Sequence, residues 1–478
     1  MNRLAICGAL ALALLVGREE AAAQPEPSLD EEMRGVWVTR FQYPRDSEAE
    51  TRARIAEIME TIKEHNFNTV FFQVRGQMDV AYPSPYEPWS AQFDWTDPGW
   101  DPFAYAIEQA REHGLEFHAY INTHTLRREE PPEETEPQHR YNVHGLDSED
   151  SWVLHDADGN PVEFTDGYVW LSPGHPDAEA WTRQAIDHIV ANYDVDGLHF
   201  DRIRTPGGDY SYDPKAVARF EGDGNPDAEE WGDFMRNQIT RQLRRIYGAA
   251  ALRNPDIKLS AAPFGIAMRV EGGYQGTGTE AHYSWKQDIF GWMEQGVLDF
   301  IVPMIYWEIG SDHPFEVLLA DFLDHASGRH VVPGMITSRD YIEQVYESRR
   351  QSAPGHVIFS YGSADFDLYS EGPYSEPAPI PGMPWKDDPD TAIVAGTVTN
   401  AAGDPVLDVR INREGDDFNY LTGADGFYSI LNIPPGTYTI SAHKSGAGHG
   451  WAEETVTVEA GDVERLDLVL RPRRASGD

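Results

Sequence analysis

The sequence predicts a closed parallel (β/α)8 barrel, the TIM-barrel class, followed by a small all-β sandwich. Three observations carry that prediction. Between residues 34 and 363, strand-like apolar runs alternate with amphipathic helix-like segments, the pattern of βαβ units and a parallel sheet. Residues 365–391, "DFDLYSEGPYSEPAPIPGMPWKDDPDT", are crowded with Pro, Gly and acids and read as a linker. Beyond residue 391 the pattern changes to short period-2 strands broken by Gly and Pro turns.

Taken in order, residues 1–23 form the first element. Arg3 precedes an apolar run from Leu4 to Val16, and Ala21-Ala22-Ala23 follow before Gln24. That is the layout of a secretory signal peptide, and the run is too short for a membrane span. Cys7 is the only cysteine and leaves with the leader, so no disulfide or thiolate metal site is expected in the mature chain. No later stretch is long and apolar enough to cross a bilayer. The expected product is a soluble exported protein, periplasmic or extracellular.

The barrel is expected over residues 24–364. Eight strand-like runs fall at 34–40, 68–76, 115–124, 196–204, 257–266, 299–308, 330–337 and 355–363. Helix-like segments separate them; "ETRARIAEIMETIKEHN" places Ile55, Ile58, Met59 and Ile62 on one face. A doubly wound open sheet is the alternative, disfavoured because no Gly-rich phosphate turn follows the first strand. Residues 392–471 form the sandwich.

Composition narrows the partners. Eighty Asp plus Glu stand against 38 Lys plus Arg, a formal net charge of −42, which excludes nucleic acid as a natural partner. Only six of the basic residues are lysine. An acid-rich, lysine-poor surface also fits life in high salt, where ions screen self-repulsion.

In a parallel barrel, chemistry sits at the C-terminal ends of the strands. Side chains two apart share a side, which groups Gln73 with Arg75, and His118 with Tyr120 and Asn122. The same rule groups His199 with Asp201, and Met304 with Tyr306 and Glu308. Glycosidic bond cleavage usually employs two carboxyls, and Asp201 and Glu308 are the candidates. His199, Arg202 and Arg204 around Asp201 are expected to hold it ionised. Tyr306 and Trp307 give Glu308 more apolar company, suited to a general acid. Against this stands a plainer reading, in which His118 or Arg75 is a paired residue that only fixes the barrel. Aromatic rings suit the CH-rich faces of sugars. Eleven of the thirteen tryptophans precede residue 365, with Trp89 and Trp307 as candidate platforms. There is no HExxH, no P-loop and no GxSxG, and no metal or cofactor site is expected.

Seven motifs then join up in order: "EMRGVWVTR", "NTVFFQVRGQMDVAYPSPYEPWS", "DPGWDPFAYAIEQAREHGLEFHAYINTH", "LSPGHPDA", "YDVDGLHFDRIRTP", "APFGI" and "VPMIYWEIG". Together they closely resemble glycosyl hydrolase-like family 10, exported bacterial barrels, over roughly residues 32–365. The resemblance implies a (β/α)8 fold and cleavage of glycan in the cell envelope, with peptidoglycan strands stripped of their peptides as the first substrate. It implies that Asp201 and Glu308 are the acids closing the fourth and sixth strands. Arg75, Asn122 and His199 match polar positions of the same motifs, while Arg202 and Thr205 stand where many relatives carry an acid and aromatics. His118, Arg204, Tyr306, Trp307 and Trp89 complete the expected substrate-binding set. Residues 392–471 resemble the carboxypeptidase regulatory-like, transthyretin-type sandwich, which implies a non-catalytic spacer or a cell-surface attachment module. Two other functions remain open: hydrolysis of an α-glucan or other exopolysaccharide, and glycan binding without turnover.

Overall fold

The strand-like runs have little polar character on either side, and the reason is visible in the structure. This is a computed structural model describing residues 30–337, 340–445 and 450–472; the expected leader lies outside the described residues. Met33–Val38 and Thr69–Arg75 are buried along their whole length. Such strands face the barrel interior on one side and a covering helix on the other. All pairings in this sheet are parallel. They run from Met33–Val38 through Thr69–Arg75, Glu116–Asn122, Gly197–Asp201, Lys258–Ala261 and Phe300–Ile301 to His330–Val331. Gly334–Ile336 pairs with Gly355–Phe359, which returns to Met33–Val38. His330–Val331 and Gly334–Ile336 are two parts of one run, interrupted at Val332 and Pro333, so the pairings close a ring of eight.

The predicted strands survive but shorten where proline intervenes. The sixth run, 299–308, keeps ladder pairing only at Phe300–Ile301, because Pro303 lacks the N–H a ladder needs. Met304 then holds isolated parallel bridges to Phe264 and Gly334. The first helix, Glu48–Glu64, is capped by the Ser47 hydroxyl and buries Ile55, Ile58, Met59 and Ile62, the predicted face.

The stretch predicted as a linker does not hang free. Tyr369, Tyr374 and Met383 are buried. The Arg349 guanidinium donates to the Pro373 carbonyl at 2.7 Å, Asn68 to the Ala378 carbonyl at 3.0 Å, and the Trp385 indole to Asp299 at 2.9 Å. Asn68 and Asp299 each precede a strand, so this segment closes the N-terminal end of the barrel.

Glu32 ties that end together, accepting from Arg34 at 2.7 Å and from Arg349 at 2.8 Å. Burial pushes its carboxyl up, but Arg349, His356 and Arg34 outweigh burial and hold it down at about 2. A depressed carboxyl stabilises the fold above its ordinary value near 4.5 and loses that contribution as pH falls toward 2. Urea melts across pH are therefore expected to lose about 3 kcal/mol through this window, and Glu32→Gln to remove that slope.

The C-terminal region is sandwich-like. One sheet pairs Ala392–Thr399 antiparallel with Phe427–Ile433 and parallel with Val463–Arg465. The other is antiparallel and centres on Gly436–His443 between Arg410–Arg413 and Gly450–Val458. Val394, Val398, Ile411, Tyr428, Ile430 and Ile440 fill the space between them. This module is held against the barrel. Arg219 makes two bonds to Asp408, at 2.9 and 2.7 Å, Arg183 pairs with Asp425, and Arg245 donates to the Leu421 carbonyl at 3.0 Å. The helix Trp231–Ala251 lies between the two bodies. Gly248 brings its backbone against Ser429, where a Cβ would collide.

Candidate active site

The mouth of the barrel holds a cleft of about 400 Å³. Its floor comes from adjacent strands in register: Tyr120 lies beside His199, and Asn122 beside Asp201. Parity then sorts the levels. His118, Tyr120 and Asn122 descend from one strand, and His199 and Asp201 from the next.

Asp201 is the carboxylate of the described cleft lining. One of its oxygens accepts from the Tyr120 hydroxyl at 2.8 Å, and the other from the Arg202 backbone N–H at 2.6 Å. Arg202 takes φ 49°, the left-handed turn that ends the strand. Burial, and then the Asp201 charge, push the Tyr120 hydroxyl far above the ordinary tyrosine value, so it remains a proton donor. A hydrogen bond to a charged group contributes about 1.5–3 kcal/mol. Tyr120→Phe is accordingly expected to leave Asp201 one donor short and to lower stability by about that amount, read by urea melts.

The sequence places His199 beside Asp201 as a supporting charge, and the structure corrects this. The ring is fully buried, and burial, then His118, drives its pKa well below the ordinary range, so it is neutral. The Trp37 indole N–H donates to Nε2 at 2.9 Å, which leaves the proton on Nδ1, 2.8 Å from the Ser260 hydroxyl. His199 is therefore part of the packed floor under Asp201.

The remaining expected residues divide. Asn122, Arg204 and Tyr306 line the cleft with Asp201. Arg75 does not: a bulge between Gln73 and Arg75 shifts its register to Ile121. Its buried guanidinium grips Glu87 through two 2.7 Å bonds and reaches the Asn122 and Thr123 carbonyls. It anchors the following loop, the plainer of the two readings. His118 lies deeper in the barrel between Phe71 and Phe300, 2.8 Å from Glu116. Trp89 is 7% exposed and packs edge-on against Phe93. Trp307 packs on Phe264 and His313, outside the lining. Glu308 also lies outside the lining, and its carbonyl accepts from the Ser311 hydroxyl at 2.8 Å.

Sequence reasoning missed Arg40, Phe41, Arg128, Tyr168 and Phe359, all of which line the cleft. Arg40, Phe41 and Phe359 lie at the ends of the first and eighth strands, where the strand-end rule finds them. Arg128 and Tyr168 come from a long excursion between the third and fourth strands, and nothing in the sequence aims that loop back over the mouth. Arg202 lies 4.5 Å over the Tyr168 ring and donates to Asp166 at 3.1 Å. Arg204 lies between the rings of Trp170 and Trp285, at 5.5 and 5.3 Å. Among the described residues, Asp150, His175 and Asp177 form a group able to ligate a cation. The Lys215 ammonium already bonds both acids of that group, and none of the three lines the cleft.

Comparison with known proteins is consistent with this architecture. Residues 32–322 match the family model described as Glycosyl hydrolase-like 10, and residues 393–471 match the Carboxypeptidase regulatory-like domain. The chain is 26% identical over 398 residues to glycosyl hydrolase YngK of Bacillus subtilis, covering 75% of each. It is 25% identical over 301 residues to glycosyl hydrolase DigH of Escherichia coli K12, covering 58% of this chain and 65% of that one. Among solved structures, the glycoside hydrolase domain of PgaB (BpsB) from Bordetella bronchiseptica aligns with a TM-score of 0.54 at 14% identity, over 72% of this chain and 100% of that one, which shows a shared fold.

Proposed function

Because this chain belongs to the glycosyl hydrolase-like 10 family, we propose that it is an exported enzyme that cleaves glycosidic bonds with Asp201 as the reacting carboxylate. The observation that carries the reading is Asp201 itself. It stands at the C-terminal end of the fourth strand, inside the cleft, oriented by two donors. A carboxylate held this way suits a nucleophile, or a group that stabilises an oxocarbenium-like transition state. Phe41 and Phe359 are 48% and 37% exposed at the rim and present apolar faces to sugar rings. Glu308, on the loop that leaves the cleft beyond Tyr306, is assigned the second carboxyl role; this assignment requires the loop to turn the carboxyl inward.

The substrate we assign is the peptidoglycan glycan strand freed of its peptides, in the periplasm or outside the cell. The resemblance of the motifs favours it. Incubation of the protein with amidase-stripped peptidoglycan, followed by mass spectrometry, is expected to release short glycan products. Release from a storage glucan alone would move the substrate to that class. A second reading has its own support: one carboxylate in the lining is fewer than glycosidic cleavage usually employs. Retained glycan binding with no products from any glycan would establish that the protein binds without turnover.

A further inference from the structure

The cleft carries a charge opposite to that of the chain around it. The protein has a formal net charge of −42. The described lining nevertheless contains four arginines, Arg40, Arg128, Arg202 and Arg204, against the single carboxylate Asp201. On so acidic a chain, cations readily find partners, and two of these have side-chain partners, one neutral and one acidic. Arg40 donates to the side chains of Gln92 at 3.1 Å and Tyr168 at 3.3 Å. Arg128 lies 3.3 Å from Glu129.

Arg202 and Arg204 differ, because both lean on the same two acids, Asp201 and Asp166. Asp166 lies 3.1 Å from Arg202 but 3.9 Å from Arg204, beyond hydrogen-bond reach. Arg204 is 9% exposed, and its Nε and Nη1 have no hydrogen-bond partner among the described residues. Ring faces of Trp170 and Trp285 flank it instead. Aromatic faces attract a cation but do not neutralise it, and a buried charge is costly unless paired. Arg204 thus stands at the wall of the cleft with no carboxylate within hydrogen-bond reach.

We propose that Arg204, assisted by Arg202, receives a carboxylate borne by a sugar of the substrate, so that the cleft selects acidic glycans over neutral ones. The proposal rests on the reading of this cleft as a glycan site and names the substrate chemistry it accepts. Guanidinium and carboxylate match as planar, bidentate partners, which a hydroxyl cannot reproduce. Two sources supply the group. One is a uronic acid. The other is the lactyl ether of a muramic sugar, whose carboxylate is free only after the peptide amide has been cut. The second source gives a physical reason for preferring stripped strands: in a peptide-bearing strand, the same carbon is a neutral amide followed by a bulky chain.

The test uses the full chain carrying Asp201→Asn, so that ligand is not consumed. Calorimetry would compare three probes: a muramic oligosaccharide with free lactyl carboxylates, the same oligosaccharide with those carboxylates reduced to alcohols, and a uronate oligosaccharide. The free lactyl form is expected to bind about tenfold or more tightly than the reduced form, and the difference to shrink as salt rises. Adding Arg204→Gln should bring the ratio of the two affinities close to one. Arg202→Gln, at a more exposed position, should weaken it in the same direction and serves if the first variant does not fold. Preferential binding of the uronate probe would keep the proposal and change the source. Equal binding of charged and reduced forms, or a preference that survives both substitutions, would overturn it and leave the hydrolase reading intact. Failure of every probe to bind would overturn the glycan-site reading, and this proposal with it.

Discussion

Asp201→Asn is expected to reduce kcat on stripped glycan on the order of 10³-fold or more while leaving the fold and the binding of substrate in place. The reason is local. The asparagine oxygen can still accept from the Arg202 N–H, and its NH2 can donate to the Tyr120 hydroxyl, which accepts as readily as it donates. Geometry is therefore kept and only the charge and the reactive oxygen are lost. Affinity for an acidic glycan should hold or rise, since the one carboxylate facing four arginines has been removed. Thermal melting together with kinetics separates the outcomes. A variant that melts like the wild type and turns over at the wild-type rate would remove Asp201 from the chemistry and leave Glu308 as the acid to test.

The second large effect concerns the joint between barrel and sandwich. Arg219 and Asp408 are 8% and 5% exposed and bond twice across it. Burial pushes the Asp408 carboxyl up, but Arg219 more than offsets this and holds it below its ordinary value. Removing one partner of a buried pair strands the other, at about 3–5 kcal/mol. Arg219→Met is expected to destabilise the protein by that order in urea melts near neutral pH and to expose the sandwich to protease before the barrel. Because the Asp408 carboxyl is depressed in the fold, its contribution is present at neutral pH and fades as acid protonates it, so the gap between variant and wild type should narrow in acid. Arg219→Met combined with Asp408→Asn should recover most of the loss, since no buried charge then lacks a partner and Asn tolerates the left-handed backbone at φ 51°. A double variant as unstable as the single one would show that shape, rather than charge, holds the joint.

The same joint marks a limit of sequence reading. The helix Trp231–Ala251 is one of the helix-like segments of the sequence and carries the basic run "RQLRR". In the structure Arg241, Arg244 and Arg245 are buried, and burial, joined by the neighbouring arginines, draws Arg241 and Arg244 down to about 10. Nothing in the helix itself announces a second domain on its polar side. The linker is a similar case. Its Pro, Gly and acids predict a linker, but composition is silent on the short helices Phe366–Ser370 and Pro384–Asp387 and on Tyr369 and Tyr374 finding a pocket beneath the barrel.

What the sequence determined by itself is what local chemistry dictates: eight apolar runs set between amphipathic helices, the change to period-2 strands, and Asp201 as the acid at a strand end. These depend on patterns a few residues long, and burial and hydrogen bonding enforce them wherever the chain goes. The tertiary structure decided which polar residues became chemistry and which became scaffold. His199 and Arg75 share strand parity with true lining residues, yet one is a neutral ring under the floor and the other a clamp on a loop. Parity fixes a side of the strand, whereas depth in the barrel, a single bulge and the return of a distant loop decide whether a side chain meets solvent, a partner or a sugar.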